Sequence, residues 1–169
     1  MSSNTWFKLM MMLFLLLYSG LSAMVFAQKK KSSENFKKAS RKIETGIEKN
    51  NQDTLAQGYF DLGETYYQKG DLEKSETFYQ KSKSLFEKIA DAEGIAKSSR
   101  ALARVQEDLH KNKEAISNYS QAQENSLKTG DNASTTLNAN DIGRLLKPDS
   151  MQTQQRFLQD PVLDRKSVV

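Results

Sequence analysis

The chain has 169 residues, a formal net charge of +4, a hydrophobic fraction of 37% and no cysteine. This length suits one domain of ordinary size, and the modest hydrophobic fraction argues against a large buried core. Without cysteine the fold cannot be held by disulfides, and a lipid attached through cysteine is excluded. A single histidine without cysteine argues against a metal site or a nucleophile–base pair. We therefore expect a chain that is not an enzyme and that uses no cofactor or metal.

The first predicted element is an apolar run over residues 9–18, which follows Lys8 and precedes several small residues. A basic start, a short apolar run and small residues before a polar segment are typical of a secretory signal. Residues 1–27 are therefore predicted to be a signal peptide that is cleaved before Gln28, and the rest to be exported to the periplasm. The alternative is an uncleaved membrane anchor over residues 7–26, which is long enough only if its glycine and serines face lipid.

Residues 28–52 are predicted to be a polar leader followed by a capping helix. Lys29 to Lys31 form the one basic run, and we interpret it as a solvated segment, not a nucleic-acid contact, because charges of both signs are interleaved elsewhere. Apolar residues recur at helical spacing over about residues 32–50, which predicts an amphipathic helix that packs on the next one. The residues of this stripe are Phe36, Ala39, Ile43 and Ile47.

The next predicted elements are two helices on either side of Gly70 and Asp71, where apolar residues recur at helical spacing with no alternation typical of strands. The glycine can take the left-handed conformation that ends one helix, and the aspartate can begin the next. A turn this short makes the two helices antiparallel and places them in contact. Small residues must then lie where the backbones approach, and Gly63 and Ser75 are in those places.

This helix pair resembles the tetratricopeptide repeat, which combines large, small and aromatic residues at fixed spacing. The matching residues are Tyr59, Leu62, Gly63, Tyr66, Ser75, Tyr79 and Ser82. A second copy lies 40 residues further on, with Leu102, Ala103, Ala115, Tyr119 and Ala122 in the same register, and a third begins with Ile142 and Gly143. Because the family period is about 34 residues, each helix pair should be longer by about a turn and a half.

The resemblance implies an all-α fold in which antiparallel helix pairs of 40-residue period stack into a short α-solenoid. The repeat region is predicted over residues 53–163, after the signal helix and the capping helix. The third repeat is expected to be degenerate in its second helix. Residues 164–169 resemble the translation of a common sequencing adapter, so we expect a non-native tail there and a natural sequence that continues past residue 163. A genuine short tail is the alternative.

In the tetratricopeptide family, the first helices of successive repeats line a concave groove that holds a protein or peptide. The resemblance therefore implies a protein-binding module without nucleic-acid partners. Five cations occupy inward positions of the second and third repeats, which favours an acidic or carboxylate-bearing peptide. The alternative is an ordinary solvated face. The predicted groove residues are Gln57, Phe60, Glu64, Tyr67, Lys97, Arg100, Arg104, Glu107, Asn140, Arg144 and Lys147.

The order of signal, basic leader, long-period repeats and the segment 138–158 resembles the extracytoplasmic region of sensor histidine kinases from Bacteroidetes-type bacteria. This looser resemblance implies the N-terminal sensory part of a membrane-bound signalling protein, with the kinase in further sequence. A free periplasmic adaptor is the alternative. Membrane contact is expected only through the signal or anchor segment, or through a further C-terminal helix.

Overall fold

The computed structural model describes residues 3–147, with the side chains of Met10, Met11 and residues 26–147. The described part consists of consecutive helices joined by short turns and contains no strand, so the predicted all-α helical-repeat fold class is confirmed. The helices are α1 (Ser3–Glu48), α2 (Gln52–Gln68), α3 (Leu72–Lys88), α4 (Ala92–Asp108), α5 (Asn112–Thr129) and α6 (Asn132–Leu146).

The helices start at regular intervals along the chain. The starts of α2, α4 and α6 are separated by 40 residues, as are the starts of α3 and α5. The predicted repeat period is therefore the period of the structure. Each helix from α2 to α5 has 17 or 18 residues, consistent with the expected lengthening of the pairs.

One residue in every turn adopts the left-handed backbone conformation. These residues are spaced 20 apart and have φ between 49° and 76°, and they are Asn50, Gly70, Ala90, His110 and Gly130. The next amide usually donates to a carbonyl five residues earlier, as from Asp71 to Tyr66 at 3.0 Å. The Gly70 turn thus has the predicted conformation, and His110 is an exposed turn residue.

The residue after each left-handed position is the N-cap of the next helix. Asn51, Asp71, Asp91 and Asp131 each accept a hydrogen bond from a backbone amide of the first helical turn. The remaining N-cap, Lys111, makes no such bond with its side chain. Four of the five helix starts are therefore stabilised by short polar side chains, as helix capping requires.

The chain divides into two compact units, Met1–Ile89 and Ala90–Val169. In the first, α2 packs against both α1 and α3. Three glycines allow these backbones to approach, since an added Cβ would lie 2.7 Å from an atom of the facing helix in each case. Gly46 faces Leu55, Gly58 faces Ile43, and Gly63 faces the ring of Tyr79.

In the second unit, α5 packs against both α4 and α6. Its core joins Ala103, Ala115 and Tyr119, and the partly buried Ile142 and Leu145 of α6 pack on this cluster. Because α5 lies between α4 and α6 in sequence and touches both, the first helices of the second and third predicted repeats share one supporting helix.

The first helix is longer than predicted. α1 runs without a break from Ser3 to Glu48, so the boundary expected between residues 27 and 28 lies within a helix. The side chains of residues 12–25 lie outside the described part, and both the cleaved signal and the anchor stay predictions. Among the described residues, no helix combines the length and apolar character needed to cross a membrane. The second helix of the third repeat and the tail fall in residues 148–169, also outside the described part.

Candidate protein-binding surface

The residues assigned to the first repeat lie at the contact between α2 and α3. Leu62, Gly63, Ser75, Tyr79 and Ser82 are buried. The Ser75 hydroxyl donates to the carbonyl oxygen of Gly63 at 2.8 Å, which joins α3 to α2 through a buried hydrogen bond. This buried bond satisfies the hydroxyl of Ser75 and explains why a serine fits at a position where the second repeat has the smaller Ala115.

Two aromatic positions of the first repeat, Tyr59 and Tyr66, are only partly buried and stack on Phe78. The rings of Tyr59 and Tyr66 lie with their centroids 6.1 and 5.4 Å from that of Phe78, nearly parallel to it. Lys81 and Lys74 place their ammonium groups over this cluster, at 5.2 to 5.5 Å from ring centroids. The α2–α3 pair therefore carries a cluster of cation–π contacts on its surface.

In the second repeat, Leu102, Ala103, Ala115, Tyr119 and Ala122 are buried with at most 1% of their surface exposed. The corresponding glycine of the third repeat has a different environment: Gly143 is exposed, and an added Cβ would meet nothing within 4 Å. The helix that was expected to pack on Gly143 falls in residues 148–169, outside the described part.

The inward positions of α2 hold side chains that support the helix pair. The ring of Phe60 lies 5.3 Å from that of Tyr79, and Glu64 accepts hydrogen bonds from the Tyr79 hydroxyl at 2.8 Å and from Gln68 at 2.9 Å. Gln57 and Tyr67 are partly buried. In the first unit, then, Phe60 and Glu64 contribute to packing between α2 and α3.

Two arginines at inward positions of the second unit join α4 to α6. The guanidinium of Arg100 donates to Oδ1 of Asn138 and to Oδ2 of Asp141, both at 3.2 Å. Asn138 is 1% exposed. Arg144 donates to both carboxylate oxygens of Glu107 and, at 3.3 Å, to Asp141. Arg100 and Arg144 are therefore neutralised by carboxylates of the neighbouring helix.

The electrostatics of this pairing change the pKa of several groups. The hydrogen bond from Arg144 lowers the pKa of Glu107, and the hydrogen bond from Glu107 raises the pKa of Arg144. Burial raises the pKa of Tyr119, whose hydroxyl donates to Glu107 at 3.4 Å. The pair stays ionised over the neutral range, with the tyrosine protonated.

Two of the five predicted inward cations, Arg100 and Arg144, are thus paired with carboxylates, while the predicted binding role of the five stays a prediction. The repeat register of the sequence assigns Arg100 and Arg144 to the inward face. It could not show that Arg100 contacts Asn138 and Asp141, or that Arg144 contacts Asp141. Asp141 and Asn138 were not among the predicted site residues. Asp141 directly follows the predicted Asn140, and its negative charge could have indicated a partner for an inward arginine. The inward residues of the second unit that remain exposed are Lys97, Arg104, Asn140, Lys147 and, despite its ion pairs, Arg144.

Within residues 3–147, no group of three or more His, Cys, Asp or Glu side chains is placed to hold a metal ion. Residues 54–128 match the sequence model of a family described as Tetratricopeptide repeat. A comparison with curated proteins found no match. The matched residues cover most of α2 and α5 and all of α3 and α4. The 40-residue helix pairs and this match together support a tetratricopeptide repeat protein, a class whose repeats commonly bind proteins or peptides.

Proposed function

We propose that the chain is a protein-interaction module and that the inward face of α4 and α6 contacts its partner. One observation carries this proposal: Arg100 and Arg144 connect the first helices of two repeats through hydrogen bonds to Asp141 and Glu107. These bonds link α4 to α6 before any partner binds. A preorganised surface binds more tightly because less conformational freedom is lost on association.

The exposed residues on this face determine which partner fits. Lys97 and Arg104 carry positive charge, and the Asn140 amide offers both a donor and an acceptor. Lys97 lies 3.7 Å from Glu93, a long and exposed ion pair that a partner carboxylate can replace. This face therefore suits a polar peptide with some negative charge, bound with an affinity that falls as salt is added.

Site-specific crosslinking tests this surface. A photoreactive residue placed at Lys97 or Asn140 should yield a discrete adduct in cells, and the same residue at the exposed Lys113 of α5 should not. The adduct from position 140 should disappear in a Lys97→Glu/Arg104→Glu variant and persist in a Lys88→Glu/Lys113→Glu variant, which has the same change in charge. Adducts of equal strength from all three positions would refute the proposed face.

For the wider context, we propose an exported sensory module that belongs to a membrane-bound histidine kinase. The apolar run before Gln28 and the resemblance of residues 138–158 support this proposal. A free periplasmic adaptor is the second candidate. Mass spectrometry of the mature protein tests export, since a new N-terminus at Gln28 is expected. The complete gene separates the candidates: a further apolar run of about 20 residues followed by a histidine-bearing helix is expected for the kinase and not for the adaptor.

A further inference from the structure

The positive charge of this protein is concentrated in the polar half of α1, residues 28–48, and in Lys49 directly after it. Residues 28–49 contain eight Lys or Arg and three Asp or Glu, a net charge of +5, whereas the whole chain carries +4. All other residues together therefore carry a net charge of −1. On the predicted groove, by contrast, Arg100 and Arg144 are paired with carboxylates. Residues 28–49 therefore form a second surface that attracts acidic groups.

An open pocket of about 950 Å³ lies between this basic part of α1 and the C-terminal end of α2. This volume falls in the range of sites that hold organic ligands or side chains of a partner. Among the residues that the structure describes, no carboxylate lines the pocket, although Asp and Glu are common elsewhere in the chain. The lining residues that matter for binding are Lys29, Lys31, Ser32, Phe36, Tyr66 and Lys69.

One wall of the pocket combines aromatic surface with a fixed cation. The rings of Phe36 and Tyr66 meet edge to face, with centroids 6.3 Å apart and planes at 87°. The Lys69 ammonium lies 5.4 Å from the centroid of Phe36 and 5.5 Å from that of Tyr66. Phe36 keeps 38% of its surface exposed. A ligand in this pocket can therefore meet an apolar ring and an ammonium group at once.

The pocket also contains polar groups that need a partner. The Ser32 hydroxyl oxygen is buried and has no hydrogen-bond partner within the described residues. A buried hydroxyl of this kind is normally satisfied by protein, water or ligand. In the same described range, Lys29, Lys31 and Lys69 form no ion pair with a carboxylate. Three lysines without a carboxylate partner and a buried hydroxyl thus line the same pocket.

We propose that the pocket between α1 and α2 binds an acidic segment of a partner protein. A carboxylate of that segment lies among Lys29, Lys31 and Lys69 and accepts from the Ser32 hydroxyl, and a neighbouring apolar side chain rests on Phe36. The width of the pocket and its aromatic wall favour a peptide over a small inorganic ion. This inference rests on the proposed protein-binding function, but it uses a surface other than the inward face of α4 and α6.

Fluorescence anisotropy with the full chain and a labelled peptide that alternates Glu with Leu tests the pocket. Lys29→Gln/Lys31→Gln should weaken binding by about tenfold. The matched control Lys30→Gln/Lys49→Gln removes the same charge from exposed positions of the same segment that do not line the pocket, and it should weaken binding by less than about twofold. Equal weakening by both variants would overturn the proposal, since it would show diffuse attraction to the helix.

Further variants and competitors in the same assay test whether another ligand or another surface accounts for the binding. Ser32→Ala should weaken the peptide by about threefold without changing the melting temperature, because the hydroxyl has no partner in the described fold. Displacement of the peptide by millimolar inorganic phosphate, or tighter binding to anionic than to neutral vesicles with no peptide binding, would overturn the peptide assignment. The inward variant Lys97→Glu/Arg104→Glu should leave peptide binding intact. If that variant alone abolishes binding, this pocket is refuted while the proposed function stands.

Discussion

Replacing Gly63 by a larger residue should destabilise the first unit even though glycine is a poor helix former. A Cβ at this position would lie 2.7 Å from Cδ1 and 2.8 Å from Cε1 of Tyr79. Carbon atoms in comfortable contact are about 3.5–4.0 Å apart, so the ring would have to move by almost 1 Å. The ring cannot easily do so, because Tyr79 is 2% exposed and its hydroxyl donates to Glu64 at 2.8 Å.

The two opposing effects of a Gly63→Ala substitution can be estimated separately. Overpacking of a well-filled contact costs about 1–3 kcal/mol. The better helix propensity of alanine returns about 1 kcal/mol. The net change is a loss of about 0–2 kcal/mol, and Gly63→Leu, which adds more atoms at the same contact, should lose about 2–3 kcal/mol.

Gly143 provides a matched control, since it occupies the same repeat position in α6 and a Cβ there would meet nothing within 4 Å. Gly143→Ala should therefore gain most of the propensity term, about 0.5–1 kcal/mol. Urea unfolding followed by circular dichroism measures both variants, and the propensity terms cancel in their difference, leaving the overpacking of about 1–3 kcal/mol. Equal shifts for the two alanine variants would refute the close approach at Gly63 and, with it, the repeat register.

The other predictions concern ion pairs, turns and caps. Arg100→Glu should lower the free energy of unfolding by about 1–3 kcal/mol in a denaturant titration, because it places a second carboxylate beside Asp141, and no loss in that titration would contradict the bridge. The pKa of Glu107 is lowered from 4.5, so the ionised carboxylate stabilises the fold fully above about pH 4.5, and this stabilisation is lost as the pH falls through the lowered pKa. In Glu107→Gln, the melting temperature should therefore fall less steeply with acid than in the parent protein. An unchanged dependence on acid pH would argue against the pairing. Ala90→Gly should raise stability by about 1 kcal/mol in thermal unfolding because Ala90 has φ of 56°, and a lower melting temperature would exclude that conformation. Lys111→Asp should add about 1 kcal/mol by capping α5, and an unchanged denaturation midpoint would show that the cap does not form.

The sequence by itself determined the helical class, the 40-residue period and the position of the turn between α2 and α3. Gly70 and Asp71 act through the backbone preferences of single residues, and the helical stripes act through a period of about 3.6 residues. Gly63 could be recognised for a similar reason, because a pair of helices joined by a short turn must approach at a small residue. Each of these signals depends on neighbours in the chain or on one adjacent helix.

Only the tertiary structure decided which charges are paired and where a pocket lies. Arg100 and Asp141 are 41 residues apart, and Arg144 and Glu107 are 37 apart, so no local pattern shows that they meet. The same holds for Lys69 over Phe36, which requires the end of α2 to lie against the polar half of α1. Helix periodicity predicts the face on which a side chain lies, but an ion pair forms only where the packing angle and offset of two helices bring its charged atoms within a few ångströms.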